Sequence, residues 1–235
     1  MNDFVLLLVV LYFLSLIVLV KMSSFMHVPL APPNSILGVA LDCKKDPYPN
    51  KIDLTIGAYR DEKGSTVVLD SVRAAEKLLL ESKCDHEYLA QDGDLLFLEC
   101  SRKLVLGDMF DAHNKRIASI QGLSGTGSLR LGFEFIKKYL PDRLMMIPMV
   151  TWPNHNTMLE EMNMQYQSYR YLNDNNTAIN FEGLLEDVSA APPKSIILLH
   201  ACAHNPTGID PTDEQWVKLL NIIKEKSHIP FLGPS

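Results

Sequence analysis

The chain has 235 residues, 47% of them hydrophobic and 21% charged, so it is neither a disordered polymer nor a bundle of membrane helices. Twenty-two Lys and Arg against 28 Asp and Glu leave a net charge of −6. That excludes a general nucleic-acid surface, because phosphate binding needs a basic footprint. Cys43, Cys84, Cys100 and Cys202 form no C-x-x-C and no regular spacing, so free thiols in a reducing compartment are expected rather than a disulfide scaffold or a zinc module.

In chain order, Phe4 to Val20 is apolar except for Ser15, and Lys21 closes the run. As a helix it spans about 25 Å, slightly under a hydrocarbon core of about 30 Å, yet its composition favours insertion. A secretory signal is disfavoured by Asp3, by the lack of a basic start and by the lack of a small-residue cleavage site. A mitochondrial transit peptide would need an Arg-rich amphipathic stretch, which is not here. Residues 1–21 therefore read as a hydrophobic leader, a candidate membrane span through 4–20 with Lys21 and Lys44–Lys45 on the cytoplasmic side. The alternative is that Met22 is the true start and the leader is wrongly translated.

Five prolines between 25 and 50 predict an extended arm with at most one short helix near Ile36–Cys43. Residues 70–82 read as a helix that Asp70 or Ser71 can cap, with Val72, Ala75 and Leu79 on one face. A helix near Asp94–Leu106 follows. Then the pattern becomes regular: strand Arg116–Leu123, helix Ser128–Leu140 ended by Pro141, strand Leu144–Val150, helix Thr157–Met164 and strand Gln167–Leu172. Helix Phe181–Ser189 and strand Ser195–His200 come next, then a helix with Asp210 as cap and Pro211 at its first position, and a strand from Ile229. Short apolar strands alternating with amphipathic helices define an α/β fold, a mostly parallel sheet with helices on both faces.

In such a sheet ligands bind beyond the carboxyl ends of the strands, and three turns there carry unusual residues. Ser124-Gly125-Thr126-Gly127-Ser128 opens a helix with free N–H groups and hydroxyls, a phosphate cradle in form. It has neither the Lys of a P-loop nor the spacing of G-x-G-x-x-G, which disfavours a nucleoside triphosphate or a dinucleotide; an ordinary capped glycine turn would look the same. Trp152, in Thr151-Trp152-Pro153-Asn154-His155, can stack on a flat ring or simply fill the core under a turn. The third turn runs His200-Ala201-Cys202-Ala203-His204-Asn205-Pro206-Thr207-Gly208. Its two histidines align as metal ligands only in a helix, and Pro206 with Gly208 makes it a turn, so metal binding is disfavoured. Asn205 reads as a fixed amide that donates and accepts, and Cys202 as a buried thiol. Together these suit a flat, phosphorylated, heteroaromatic ligand.

These turns, with Ile36-Leu37-Gly38-Val39, Ile56-Gly57-Ala58-Tyr59-Arg60-Asp61, Ser71-Val72-Arg73-Ala74-Ala75-Glu76, Glu87-Tyr88-Leu89 and Tyr169-Arg170-Tyr171, closely resemble the aspartate aminotransferases, pyridoxal-phosphate enzymes of fold type I. The long run Leu198 to Gly208 is the most specific of them. The resemblance extends from about Phe25 to Phe231, little more than the first half of a family member, and the wording of the arm is most like the mitochondrial form. It implies a partial large domain over 66–235, an arm and the start of a small domain over 22–65, and a homodimer embraced by residues 25–36.

The resemblance also implies site roles. Ser124, Gly125 and Thr126 would hold the cofactor phosphate, and Tyr88 that of the neighbouring subunit. Trp152 would stack on the pyridine ring and meet the substrate carboxylate, while His155 would support the acid facing the ring nitrogen. Asn205 would bond the phenolic oxygen and the α-carboxylate, and Gly57 would line the substrate site. The substrates would be aspartate, glutamate and 2-oxo acids. Several departures stand against the pattern: Thr55 and Pro153 replace glycines, Ala90-Gln91-Asp92 follows Tyr88, and Gly233 stands in place of the acid. The covalently bonding lysine and the carboxylate-gripping arginines of the family have no counterpart here, so the chain is expected to be inactive by itself. The competing expectation is a non-catalytic, membrane-tethered relative acting through dimerisation. Asn175-Asn176-Thr177 would be a glycosylation acceptor only in a secretory lumen.

Overall fold

A computed structural model of the protein describes residues 25–30 and 35–233. The expected leader at 1–21 lies outside them; among the described residues no helix is long and apolar enough to cross a membrane. The chain divides into two units, Met1–His86 and Glu87–Ser235.

The first unit holds α1 (Ser35–Lys45) and α2 (Asp70–Glu81). Lys44 and Lys45 sit where the helix dipole favours cations. Lys51 Nζ donates to the carbonyls of Cys43, Lys44 and Asp46 at 2.7, 3.2 and 2.7 Å, satisfying acceptors that the helix end leaves open. Neither Asp70 nor Ser71 caps α2. Leu69 stands at the cap position and makes no side-chain bond, while Asp70 is the first helical residue. Every residue from 56 to 92 is exposed.

The second unit begins with α3 (Leu95–Leu106), whose cap Asp94 accepts from the Phe97 N–H at 2.7 Å. A short α4 (Phe110–His113) lies between two 3-10 turns, the second ending at Arg116. The strand expected over 116–123 is not in a ladder. Residues 117–122 carry no helix or strand assignment, and the Gln121 N–H donates instead to Asp92 O at 2.8 Å. Helix α5 (Ser124–Tyr139) starts four residues before the expected Ser128, so the glycine-rich stretch is its first turn and not a loop.

Four parallel strands follow: β1 (Met145–Pro148), β2 (Tyr166–Tyr169), β3 (Ile196–His200) and β4 (Ile229–Gly233), in the spatial order β2-β1-β3-β4. β1 and β3 are buried throughout, as strands covered on both faces must be. Alternation along each strand separates two cores. Met145, Ile147, Ile196 and Leu198 pack with Leu129, Phe133 and Ile136 of α5 and with Met158 and Leu159 of α6 (Pro153–Glu161). Met146, Ile197 and Leu199 face the other way, onto Leu184 and Val188 of α7 (Phe181–Ala190) and Leu219 and Ile223 of α8 (Asp213–Glu225). Each such fully buried side chain is worth roughly 1.5–3 kcal/mol, so this double layer is where the fold's stability is concentrated.

Two boundaries shift for local reasons. Pro153 takes the first position of α6, which brings His155 into the first helical turn instead of a loop. Asp210 does not cap α8. Thr212 does, in a reciprocal box with Gln215, because the Asp210 carboxylate is occupied by the N–H groups of Ala203 and His204 at 2.6 and 2.8 Å.

Candidate functional site

The chain leaves β1 at Pro148 and β3 at His200 on the carboxyl edge of the sheet, and both following turns stay there. α5 feeds β1, so its C-terminus belongs at the opposite edge. Lys137 near that end donates to Met162 O, just past the end of α6, at 2.6 Å. The N-terminus of α5, with Ser124, Gly125 and Thr126, therefore stands at the carboxyl edge too. The first helical N–H groups have no partner within the helix and carry the positive end of its dipole. Ser124 is held at φ 55°.

Three histidines are threaded together beneath this edge. The Asn205 N–H donates to His200 Nδ1 at 3.2 Å. Thr151 Oγ1 lies 2.9 Å from His200 Nε2 and 2.8 Å from His155 Nδ1. His155 meets both Trp152 and His200 edge-on, with ring centroids 5.6 and 5.4 Å apart. His204 stacks on Tyr171 at 3.8 Å, and the Tyr171 hydroxyl donates to Ile209 O at 2.6 Å. Burial pushes His155 down to about 4, and the neighbouring His200 imidazole adds to it. His204 is also pushed down to about 4, first by burial and then by His200. His200 is lowered by burial against the opposing pull of Asp210.

All three rings are therefore neutral at pH 7, and the Asn205 N–H assigns the tautomer of His200 and, through Thr151, that of His155. His200 Nδ1 accepts, so its Nε2–H donates to Thr151 Oγ1. The threonine hydroxyl then donates to His155 Nδ1, leaving the His155 proton on Nε2. That atom is buried and without a partner. It faces Gly233, where an added Cβ would lie 3.7 Å away.

Of the sequence-predicted residues, Trp152, His155 and Asn205 belong to this connected cluster, and Ser124, Gly125 and Thr126 stand at the same sheet edge. The Asn205 side-chain amide makes no hydrogen bond within the described residues. Tyr88 is fully exposed in a segment outside the helices and strands. Gly57 lies in the first unit, with open space where a Cβ would be. Cys202 is exposed, not the buried thiol expected, because the turn carries it outward while His204 turns in. Among the described residues no group of three or more His, Cys, Asp or Glu is placed to hold a metal. The residue that sequence reading missed is Thr151, the hub of the relay; its only sign was its place immediately before Trp152.

A parallel sheet with a helix N-terminus, an indole and a free amide at its carboxyl edge places polar and aromatic groups where α/β proteins bind ligands. Residues 49–232 match the family Aminotransferase class I and II. A mitochondrial aspartate aminotransferase P2 of Lupinus angustifolius is 44% identical over 93% of this chain and 48% of its own length. The cytoplasmic aspartate aminotransferase of Saccharomyces cerevisiae superposes with TM-score 0.83 at 38% identity, covering 90% of this chain and 52% of that one. An aromatic-amino-acid aminotransferase of Burkholderia pseudomallei, covalently bound to pyridoxal phosphate, does so with TM-score 0.84 at 34% identity over 91% of this chain and 54% of its own. The chain belongs to the class I and II aminotransferases, and the lupin and yeast proteins it resembles are aspartate aminotransferases. It spans about half the length of the curated relatives it matches. Their names include mitochondrial, chloroplastic and cytoplasmic proteins, so family membership does not fix a compartment.

Proposed function

We propose that this chain supplies the cofactor-binding part of an aspartate:2-oxoglutarate aminotransferase site that uses pyridoxal phosphate. The observation that carries the reading is the meeting, at one sheet edge, of a helix N-terminus, a half-buried tryptophan and an unbonded asparagine amide. Pyridoxal phosphate, when bound, supplies an electron sink for bonds broken at an amino acid's α-carbon.

The chain's own residues bind and orient. Ser124, Gly125 and Thr126 offer N–H and hydroxyl donors to the phosphate. Trp152 offers an aromatic face to the ring. The Asn205 amide is free to donate to a phenolic oxygen and to a substrate carboxylate. Gly57 would line the substrate site, and the exposed Tyr88 would reach a phosphate in the partner of a homodimer. His155 fits less well. Its Nε2–H faces a glycine and not an acid, so the ring nitrogen would lack a carboxylate partner. That orphaned donor favours, as a second reading, a non-catalytic family member acting through assembly.

Binding of pyridoxal phosphate to the 235-residue chain, followed by 31P NMR and equilibrium dialysis, tests the proposal. Thr126→Val and Asn205→Ala are each expected to weaken binding about tenfold, roughly 1.4 kcal/mol. By itself the chain is expected to bind without transamination. No binding at about 1 mM ligand, or affinity unchanged in both variants, would overturn the reading.

A further inference from the structure

At the amino edge of the sheet, opposite the ligand turns, α5 ends and the chain passes through Pro141 into β1, beside the turn that joins α6 to β2. Backbone bonds hold both turns. The Arg143 N–H donates to Leu140 O at 3.1 Å, those of Asn163 and Met164 donate back into α6 at 2.9 Å each, and the Met145 N–H donates to Gln165 O at 3.2 Å. Asn163 stands at φ 50°, a left-handed position that asparagine adopts more readily than most residues. Lys137 ties α5 to the same turn through its bond to Met162 O.

Between the two turns lies a cavity of about 460 Å³, within the range of roughly 300–1,000 Å³ that small-molecule sites occupy. Leu140, Pro141 and Met164 give it an apolar part, and the rest is rich in donors. Arg143 is half-buried, and its guanidinium makes no hydrogen bond or ion pair among the described residues. The side-chain amides of Asn163 and Gln165 are equally unbonded among them, whereas the carbonyls of Leu140, Met162 and Gln165 are already taken. One carboxylate, Asp142, stands against two cations, in a chain whose net charge is −6.

The dipole of α5 accounts for Lys137 and Lys138 in its last turn, because a helix C-terminus favours cations. It does not account for Arg143, which lies beyond the helix and has no acid to pair with. A planar fork of donors matches carboxylate or phosphate oxygens two at a time. An inorganic oxyanion, only a few times the size of a water of about 30 Å³, would leave most of the space unfilled. We propose that this cavity binds a small organic anion of two or more charges, a phosphate ester or an oligocarboxylate. Its charged oxygens sit on the Arg143 guanidinium, with Asn163, Gln165 and the remaining Lys137 N–H bonds as further donors, and its carbon skeleton lies against Leu140 and Met164. The cavity is one strand length from the ligand turns, roughly 13 Å along the four residues of β1, and shares no residue with them. The inference therefore goes beyond the cofactor reading.

The test titrates the full 235-residue chain with glucose 6-phosphate and, separately, with citrate, followed by calorimetry and by NMR of side-chain N–H signals. Expected is one-to-one binding of at least one of them with Kd below about 1 mM, shifting the Arg143 Nε–H and the Asn163 and Gln165 amides. The tighter of the two assigns the cavity to phosphate or to carboxylate oxygens. Arg143→Gln should weaken binding at least about tenfold, and Arg143→Lys, which keeps the charge but loses the fork, should recover only part of it. Lys138→Gln removes a charge from the same helix end but not from the cavity, and should change affinity less than about twofold. Unchanged amide exchange in β1 of each variant separates lost binding from lost folding. No binding of either anion at about 10 mM would overturn the inference. Equal losses in Arg143→Gln and Lys138→Gln would do so too, by showing diffuse attraction. Inorganic phosphate binding as tightly as the organic anions would mean an adventitious ion only. Binding that falls in Thr126→Val and not in Arg143→Gln would put the anion on the cofactor turn, again against the inference. None of these readouts needs pyridoxal phosphate, so failure here is distinct from failure of cofactor binding.

Discussion

The proton on His155 is placed by a backbone group three hydrogen bonds away: Asn205 N–H sets His200, His200 sets Thr151, and Thr151 sets His155. The relay works only while the rings are neutral, and burial keeps them so. His155 and His204 lie near 4 in the fold against an ordinary value of 6.5. Between those values the unfolded chain binds more protons than the folded one. The stability is therefore complete above about pH 6.5 and is lost as pH falls toward 4. The urea midpoint should drop between about pH 7.5 and pH 5, above the range in which ordinary carboxylates titrate. Gly233→Asp puts a carboxylate within reach of the His155 Nε2–H, which favours the imidazolium and raises its pKa. In that variant the acid loss should be shallower, and the His155 NMR titration should move up from about 4. A midpoint that does not fall in the parent, or a titration unmoved in the variant, would contradict the relay. Trp152, His155 and Asn205 were legible as site residues because each sits in a turn after an apolar strand. Thr151 was not, since nothing in a sequence shows that one hydroxyl will bridge two rings, the second of them 49 residues away.

Elements were legible where periodicity had a buried face to report. β1, β3, α7 and α8 were each found close to their expected ranges because two covered faces demand unbroken apolar strands and one-sided helices. Their ends were less so, because caps compete. Asp210-Pro211 has the composition of a helix start, but a carboxylate satisfying two N–H groups of the 200–208 turn cannot also cap α8. The two capping candidates of this neighbourhood, Thr212 and Asp210, should therefore separate by effect. Thr212→Ala loses a cap bond and should cost about 1 kcal/mol, with the histidine signals unchanged. Asp210→Ala leaves the Ala203 and His204 N–H groups without their charged acceptor and should cost roughly 1–3 kcal/mol. It should also shift the His200 resonances, because Asn205 follows directly on that anchored pair. Urea denaturation and imidazole NMR check both; equal costs with equal spectral effects would show that Asp210 does no more than a cap. Residues 117–122 were misread for the converse reason: an apolar pattern states that a strand wants cover, not that a neighbour is there to pair with it.

At the scale of the molecule, cover is unevenly distributed. All the buried positions from Leu98 onward lie in the second unit, whereas residues 56–92 contribute no buried side chain. The parallel architecture was readable because β1, β3 and their helices carry it within about a hundred residues, while the arm and α2 gave only family wording without a packing face to confirm. α2 has a helical pattern, with Val72 and Leu79 in line, yet every one of its residues is exposed. A twelve-residue helix without tertiary packing is marginal in water. Its amides should accordingly exchange at least about a hundredfold faster than those of β1 and β3, whose opening requires breaking both cores. Trypsin should show the same division. Arg60, Lys63, Arg73, Lys77 and Lys83 all lie in the exposed stretch, and Lys83 sits at φ 48° just past the end of α2. Brief digestion of the full chain is expected to cut there first and to leave a resistant fragment beginning at Cys84. That fragment should keep the slow-exchanging amides of β1 and β3 and the depressed His155 titration, since among the described residues the ring and hydrogen-bond contacts to His155 come from Thr151, Trp152 and His200. Cleavage that instead began inside 145–200, or a fragment in which His155 titrated near 6.5, would mean that the first unit holds the sheet together despite burying nothing of its own between 56 and 86.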